Sequence, residues 1–92
     1  MTRNYNDPLY EEARKKVLKR DKYTCQMPGC KSKRRLNVHH IIPWSRGAMM
    51  RYETYNLITL CRKCHDGIKD LEHHYVNLFT DIVRDNENPK RL

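Results

Sequence analysis

Four cysteines in two pairs are the residues of this sequence best suited to hold a metal ion. Cys25 and Cys30 enclose the residues QMPG, Cys61 and Cys64 enclose RK, and residues 31–60 lie between the pairs. Two such pairs present four thiolates, and Zn²⁺ prefers a tetrahedral thiolate cage. We therefore predict one structural zinc ion with no open position for catalysis. The alternative is four free thiols or a redox pair at the second site, which would leave the first pair without a purpose.

Three histidines near the cysteines could do chemistry of another kind. His39 and His40 are adjacent in the stretch NVHHII, and His65 follows Cys64 directly. Neighbouring side chains of a strand point to opposite faces, so two adjacent histidines can have different roles. Neutral imidazole is a common ligand of transition metals and the commonest general base. A zinc ion that holds the strand and the following helix together could bring these imidazoles to one site.

The elements that must position these residues begin with a helix predicted over about Pro8 to Arg20. Asp7 suits the N-cap, Pro8 suits the first helical position, and acidic residues follow in the first turn. Apolar residues recur every four positions and form a narrow stripe, namely Leu9, Ala13 and Val17.

Two short strands and a second helical region should follow. LNVHHII is rich in β-branched residues and predicts a strand, PWSRGAMMRYETYN predicts a loop with Pro43 and Gly47 as breakers, and LITLC predicts a second short strand. A helix should begin at about Arg62. Its later part carries an apolar face, formed by Leu71, Tyr75, Leu78, Phe79, Ile82 and Val83. The polar stretch RDNENPKRL predicts a frayed tail.

Composition narrows the class of protein. A chain of 92 residues is long enough for one small domain, which we expect to be ordered from about residue 8 to 84. Only 38% of the residues are hydrophobic, so the hydrophobic core is small and needs an additional cross-link such as a bound metal ion. The formal net charge of +8 favours a polyanionic partner, with solubility alone as the alternative. Because no apolar run could cross a membrane and the start is polar, we predict a protein of the reducing cytoplasm.

The order of these motifs resembles the HNH endonuclease family. VHHIIPWSRG, ETYNL and TLCRKCHDGIK follow the family pattern, and VLKRDKYTCQ is similar to its lead-in L-x-R-D-x-Y-x-C, so the resemblance covers about Val17 to Lys69. It implies an α+β fold, in which a small zinc-stapled ββα-metal domain of treble-clef-like form is flanked by an N-terminal and a C-terminal helix. Residues 1–92 would then be a single nuclease domain.

The resemblance also implies roles for individual residues. By position, His40 is the general base that activates water, and His39 and His65 hold one divalent ion. This ion would be Mg²⁺ or Mn²⁺, with Ni²⁺ or Zn²⁺ possible in vitro. Asn56 would hydrogen-bond across the loop and keep the strand of the base in shape. Candidates for contacts with DNA phosphates are Arg46, Arg51 and Lys69. Some relatives carry a histidine at the position of Lys69, so this site lacks a third imidazole.

The resulting hypothesis is a metal-dependent endonuclease that hydrolyses DNA phosphodiester bonds by nicking or double-strand cutting. By analogy with the family, the products would carry 5′-phosphate and 3′-hydroxyl ends. The same analogy predicts a bacterial or phage-infected cell as the setting, with phage packaging proteins as candidate partners. The alternative from another class is a zinc-stapled DNA-binding module without catalysis. A third reading, a zinc domain that binds other proteins, is disfavoured by the positive charge.

Overall fold

The computed structural model of the protein describes residues 8–42 and 52–88. Three helices and two strands form along this part of the chain, in the order α1 (Pro8–Arg20), β1 (Leu36–His40), β2 (Leu57–Cys61), α2 (Arg62–Gly67) and α3 (Val76–Glu87). Short 3-10 helices at Thr54–Asn56 and Glu72–Tyr75 precede β2 and α3. The predicted bounds of α1 and β2 are confirmed, whereas Asp7, Pro43 and Gly47 lie outside the described residues. Within the described ranges, the helices are too short or too polar to cross a bilayer.

The two strands form a small antiparallel sheet with helices on both faces. Leu36 pairs with Cys61 at one end of the sheet, and His40 pairs with Leu57 at the other. Leu57 packs with Ala13 and Val17 of α1. Ile58 and Leu60 belong instead to a larger apolar cluster, which also contains Cys25, Ile41, Ile68, Phe79 and Val83. Leu57 and Ile58 thus pack on opposite faces of the sheet, and all five residues of β2 are buried.

The buried face of α1 differs by one residue from the predicted stripe. Leu9 is 60% exposed, whereas Tyr10 is buried together with Ala13 and Val17. The spacing from Tyr10 to Ala13 to Val17 alternates three and four residues, which follows the helical repeat more closely than a repeat of four. The aromatic side chain of Tyr10 therefore lies between α1 and the sheet.

The predicted single helix after Arg62 is two helices. The N–H of Ile68 bonds to Cys64 and Asp66, and Asp70 has a left-handed φ of 69°, so α2 ends at Gly67 and the chain turns before α3. The turn changes which face of the later segment is covered. Phe79 is buried, but Leu71 and Leu78 are 46% and 40% exposed.

Helix α3 continues to Glu87, through residues that the sequence assigns to a polar tail. The reason is a hydrogen-bond network beside the end of α1. The side-chain amide of Asn86 donates to Asp21 Oδ1 and to Gln26 Oε1, in both cases at 2.9 Å. Arg20 donates to the carboxylate of Glu87 at 3.0 Å. These polar contacts keep the last turn of α3 in place where apolar contacts are few.

Helix α1 ends in a Schellman motif with a lysine at the position that usually takes glycine. The N–H of Tyr23 donates to the carbonyl of Leu18 at 2.8 Å, and the N–H of Lys22 donates to that of Lys19 at 3.0 Å. Lys22 has a φ of 58°. A side chain in this left-handed conformation is unfavourable by roughly 1–2 kcal/mol, and glycine avoids this penalty.

The network at the end of α3 can be tested with Asn86→Ala. The substitution leaves polar groups of Asp21 and Gln26 without this donor, so the free energy of unfolding should fall by about 1–3 kcal/mol. Denaturant unfolding of the zinc-loaded protein measures the change. Asn88→Ala is the matched control, because the Asn88 amide donates to the carbonyl of Arg84 at an exposed position; its effect should stay within about 0.5 kcal/mol. Equal effects of the two variants would contradict a structural role for Asn86.

The helix terminus can be tested with Lys22→Gly. We expect the free energy of unfolding to rise by about 0.5–1 kcal/mol, because glycine relieves the left-handed strain. Lys22→Ala removes the same side chain but keeps the strain, so it should not stabilise the protein. Denaturant midpoints of the three proteins decide the point, and a gain shared by alanine and glycine would argue for a charge effect instead.

Candidate active site and metal centre

The four cysteines predicted to bind zinc come together between the loop after α1 and the start of α2. Their Sγ atoms all lie within 4.8 Å of one another, and those of Cys30 and Cys61 are 3.7 Å apart. All four are free thiols. Zinc–sulfur bonds of about 2.3 Å in a tetrahedron separate the sulfurs by about 3.8 Å. The donor set and its spacing therefore fit a structural zinc ion.

The backbone prepares one of these sulfurs for a cation. Cys61 is the N-cap of α2, and its Sγ accepts a hydrogen bond from the N–H of Cys64 at 3.4 Å. This bond lowers the pKa of Cys61 to about 7. Burial has the opposite effect on Cys25 and Cys64, whose pKa values are raised. A bound divalent cation would supply the charge that lets the remaining thiols ionise.

Beside the cysteines, the structure brings two of the predicted histidines together. The ring centroids of His39 and His65 are 5.4 Å apart, with the rings at 71° to each other. His39 also contacts the ring of Phe79 at 5.8 Å, so its side chain lies on the α2 and α3 side of the sheet. Imidazole nitrogens bind metals at about 2.0–2.1 Å, which allows two rings on one ion to have centroids up to about 6 Å apart. The pair therefore fits a shared cation.

His40 lies on the other face of the sheet. Its ring stacks on that of Tyr10 in α1, with the centroids 6.1 Å apart and the rings inclined by 14°. Both residues are buried. Strand alternation therefore gives the two adjacent histidines different surroundings, as the sequence predicted. His39 faces His65, and His40 faces α1.

Asn56 holds the chain immediately after His40. Its side chain is buried, and it accepts a hydrogen bond from the N–H of Ile42 at 2.9 Å and donates one to the carbonyl of Ile42 at 3.2 Å. Its own carbonyl accepts from the N–H of Ile41 at 2.8 Å. Three bonds from one residue thus continue the pairing of β1 and β2 beyond the last strand residues.

Arg20 braces the turn that carries Asn56. The guanidinium donates to the carbonyl of Thr54 at 2.8 Å and to that of Leu57 at 2.7 Å, on either side of Asn56. It also makes a bidentate ion pair with Asp21, at 2.8 and 2.9 Å. Asp21 in turn accepts the N–H of Thr59 in β2 at 3.0 Å. The end of α1 is therefore hydrogen-bonded to the sheet and to the 3-10 turn.

The predicted phosphate contacts stay predictions. Lys69 is exposed and lies two residues beyond the end of α2, so it is not one helical turn from His65 on a continuous helix. Arg46 and Arg51 lie outside the described residues.

Sequence reasoning missed several residues that support the site. Tyr10 stacks on His40, and Asn86 reaches Asp21 from the far end of the chain, but no local pattern links these positions. For Arg20 and Asp21, by contrast, the sequence did contain an indication. They are the R-D pair of the lead-in motif, and their recurrence in that motif could have suggested a structural role.

Comparison with known proteins identifies the central part of the chain. A family model described as HNH endonuclease matches residues 25–71, which is just over half of the sequence. Searches among curated proteins and among solved structures gave no match. The matched segment contains every predicted metal and catalytic residue, whereas α1 and α3 lie outside it. With the cysteine cluster and the small α+β architecture, the match confirms the expected ββα-metal fold.

The zinc site can be tested by metal analysis under reducing conditions. We expect one zinc ion per folded chain, because four thiolates at this spacing complete a tetrahedral shell. Cys30→Ser should lose zinc and melt at a much lower temperature, since structural zinc contributes roughly 10–16 kcal/mol, comparable to the stability of a whole domain.

Met27→Leu is the control for this variant. Met27 packs against the same apolar cluster as the cysteines, but it offers no thiolate. It should therefore keep its zinc and nearly all of its stability. Folded wild-type protein with clearly less than one zinc, or unchanged melting of the Cys30→Ser variant, would rule out a structural zinc.

Proposed function

Because the chain belongs to the HNH endonuclease family, we propose that it is a metal-dependent endonuclease that hydrolyses phosphodiester bonds of DNA. His40 is the general base, His39 and His65 hold one divalent ion, and Asn56 positions the strand that carries both strand histidines. The roles come from the positions of these residues in the family motif. The observations that follow support them.

The contact between His39 and His65 carries the proposal. These residues are far apart in sequence, yet their ring centroids lie 5.4 Å apart beside the cysteine cluster. A divalent ion on these imidazoles would stabilise negative charge on the phosphate and on the departing 3′-oxygen. Two imidazoles also leave room in its coordination shell for phosphate and water. We favour Mg²⁺ or Mn²⁺ on the family resemblance, although two imidazoles would also suit Ni²⁺ or Zn²⁺.

His40 supplies the proton acceptor. In the proposed reaction it takes a proton from the attacking water, a bond forms between water oxygen and phosphorus, and the bond from phosphorus to the 3′-oxygen breaks. The departing 3′-oxygen takes up a proton from solvent water, and His40 later returns its proton to solvent. The products carry a 5′-phosphate and a 3′-hydroxyl. Tyr10 and Asn56 restrict the ring and the backbone of His40, respectively, which keeps the base in one orientation.

A non-catalytic DNA-binding module is the second candidate. The net charge of +8 and a zinc-stapled fold would suit such a module without any reaction. A binding module has no need of an imidazole pair beside the zinc or of a buried asparagine that orders the strand end. Both features favour the nuclease, and the measurements below separate the two functions.

The setting of the reaction follows from the cysteine chemistry. Four thiols that must stay reduced to bind zinc favour a reducing compartment, so we propose the cytoplasm of a bacterial or phage-infected cell. A role beside phage packaging proteins rests on the family resemblance alone.

The nuclease proposal can be tested by comparing variants of the three histidines. His40→Ala should lower the cleavage rate of supercoiled plasmid by roughly 10²–10⁴-fold, with metal affinity nearly unchanged. His39→Ala and His65→Ala should weaken binding of the divalent ion instead, and added Mg²⁺ or Mn²⁺ should restore part of their rate. Calorimetric metal titrations of the zinc-loaded proteins, together with cleavage rates at saturating metal, distinguish these outcomes.

His74→Ala is the matched control, because His74 is an exposed histidine in the 3-10 helix before α3. It should cut at the wild-type rate. Loss of metal from His40→Ala but not from His39→Ala would reverse the proposed roles of the two strand histidines. If wild type itself binds DNA but does not cut it with either ion, the DNA-binding module becomes the better function.

A further inference from the structure

We propose that the protein has a second DNA contact, separate from the histidine site, on the loop that carries the first two cysteines. This knuckle surface consists of Lys22, Tyr23, Lys31, Lys33, Arg34 and Arg35. It would hold phosphates of the duplex on one side of the bond that is cut. The identity of its ligand as DNA rests on the proposed function.

Charge is the first argument for the knuckle surface. Residues 22–35 contain five basic side chains and no acidic one, and all five are exposed. The ammonium group of Lys33 lies 2.7 Å from Thr24 Oγ1 and 3.5 Å from the backbone carbonyl of Lys22, so the charge of Lys33 lies over the other end of the loop. A dense positive surface of this kind attracts a polyanion.

The basic face of α1 is a weaker candidate for the same role. This helix also carries Glu11 and Glu12 among its exposed residues. Lys16 already pairs with Glu12 at 3.6 Å. Acidic neighbours repel phosphate and reduce the local potential, so the helix is less suited to bind DNA. On the knuckle surface, Lys22 shares a depression with Asp85 and Glu87 of α3, and the test below therefore alters Lys31 and Arg34.

Backbone conformation is the second argument. Lys22, Lys31 and Arg35 have φ values of 58°, 56° and 52°, in the left-handed region where glycine fits without strain. A basic side chain at each of these positions therefore has no advantage for the local fold. Strained residues are often kept where the side chain has a function, and binding phosphate is the function that three cations share. Tyr23, which is also left-handed, is 54% exposed among them and offers an apolar ring to a sugar or base.

Position is the third argument. Arg35 directly precedes β1, and its carbonyl accepts the N–H of Arg62 at 2.8 Å, next to the end of the sheet where Leu36 pairs with Cys61. His39 lies four residues further along the chain, at a strand rise of about 3.3 Å per residue, or about 13 Å away. This distance equals the rise of about four base pairs. Contacts with phosphates at that distance position the duplex without reading its sequence.

The test compares two double variants that each remove two positive charges. Lys31→Gln with Arg34→Gln alters the knuckle surface, and Lys15→Gln with Lys19→Gln alters the exposed face of α1. Binding of each zinc-loaded protein to a short DNA duplex is measured without added Mg²⁺ or Mn²⁺, from about 50 to 200 mM salt. The knuckle variant should reduce the slope of log affinity against log salt by roughly 2, and the helix variant by less than 1.

Zinc content and thermal melting verify that both variants are folded. Should the knuckle double variant lose its zinc, the single variant Arg34→Gln takes its place, with an expected reduction of roughly 1 in the slope against Lys19→Gln as its control. An unchanged slope for the knuckle variant, or an equal reduction for the helix variant, would overturn the proposal.

Plasmid cleavage with Mg²⁺ or Mn²⁺ is measured on the same proteins, so that the two proposals can fail separately. Wild type that binds through the knuckle surface but does not cut would refute the nuclease and leave the second contact standing. Wild type that cuts while the knuckle variant keeps both its slope and its rate would refute only the second contact.

Discussion

Convergence of four sulfur atoms from distant parts of the chain is the constraint on which the other elements depend. A sheet of two five-residue strands has too few hydrogen bonds and too little apolar area to be stable alone. The cysteine cluster joins the loop after α1 to the junction of β2 and α2. It therefore holds the chain that enters β1 next to the chain that leaves β2. Once that junction is held, α2 begins directly after its N-cap Cys61, and its fourth residue, His65, lies beside His39.

The two proposed roles, metal binding and proton acceptance, lie on opposite faces of the sheet. The face toward α2 and α3 carries His39 and the cluster that contains Phe79, whereas the face toward α1 carries His40 and Tyr10. In the proposed mechanism, His39 binds the cation and its neighbour His40 accepts the proton, and the two have different surroundings. A two-residue motif can do this only in an extended strand, because a helix would place both side chains within about 100° of each other.

Local patterns in the sequence predicted the parts of the structure that local physics controls. The extent of α1 follows from its N-terminal proline and helical composition, and the metal cluster follows from the cysteine spacing. The break between α2 and α3 was missed because the apolar spacing continues across it, and because the turn uses an exposed, left-handed aspartate, Asp70, at a position where a glycine or proline would have marked it. Tyr10 and Asn86 were missed for a related reason, since each acts on a residue far away in the sequence.

The hydrogen-bond network around Asp21 indicates whether the segment that matches the family model could fold on its own. Its partners come from α1, the cysteine loop, β2 and the last turn of α3, while the family match covers only residues 25–71. A protein truncated to the matched segment would contain all the candidate metal and catalytic residues but neither α1 nor α3. Leu57 would lose its packing against α1, and Ile58 would lose Phe79. The smallest folding unit is therefore longer than the recognisable motif. If the candidate site were grafted into another protein, that protein would have to replace the packing of both helices.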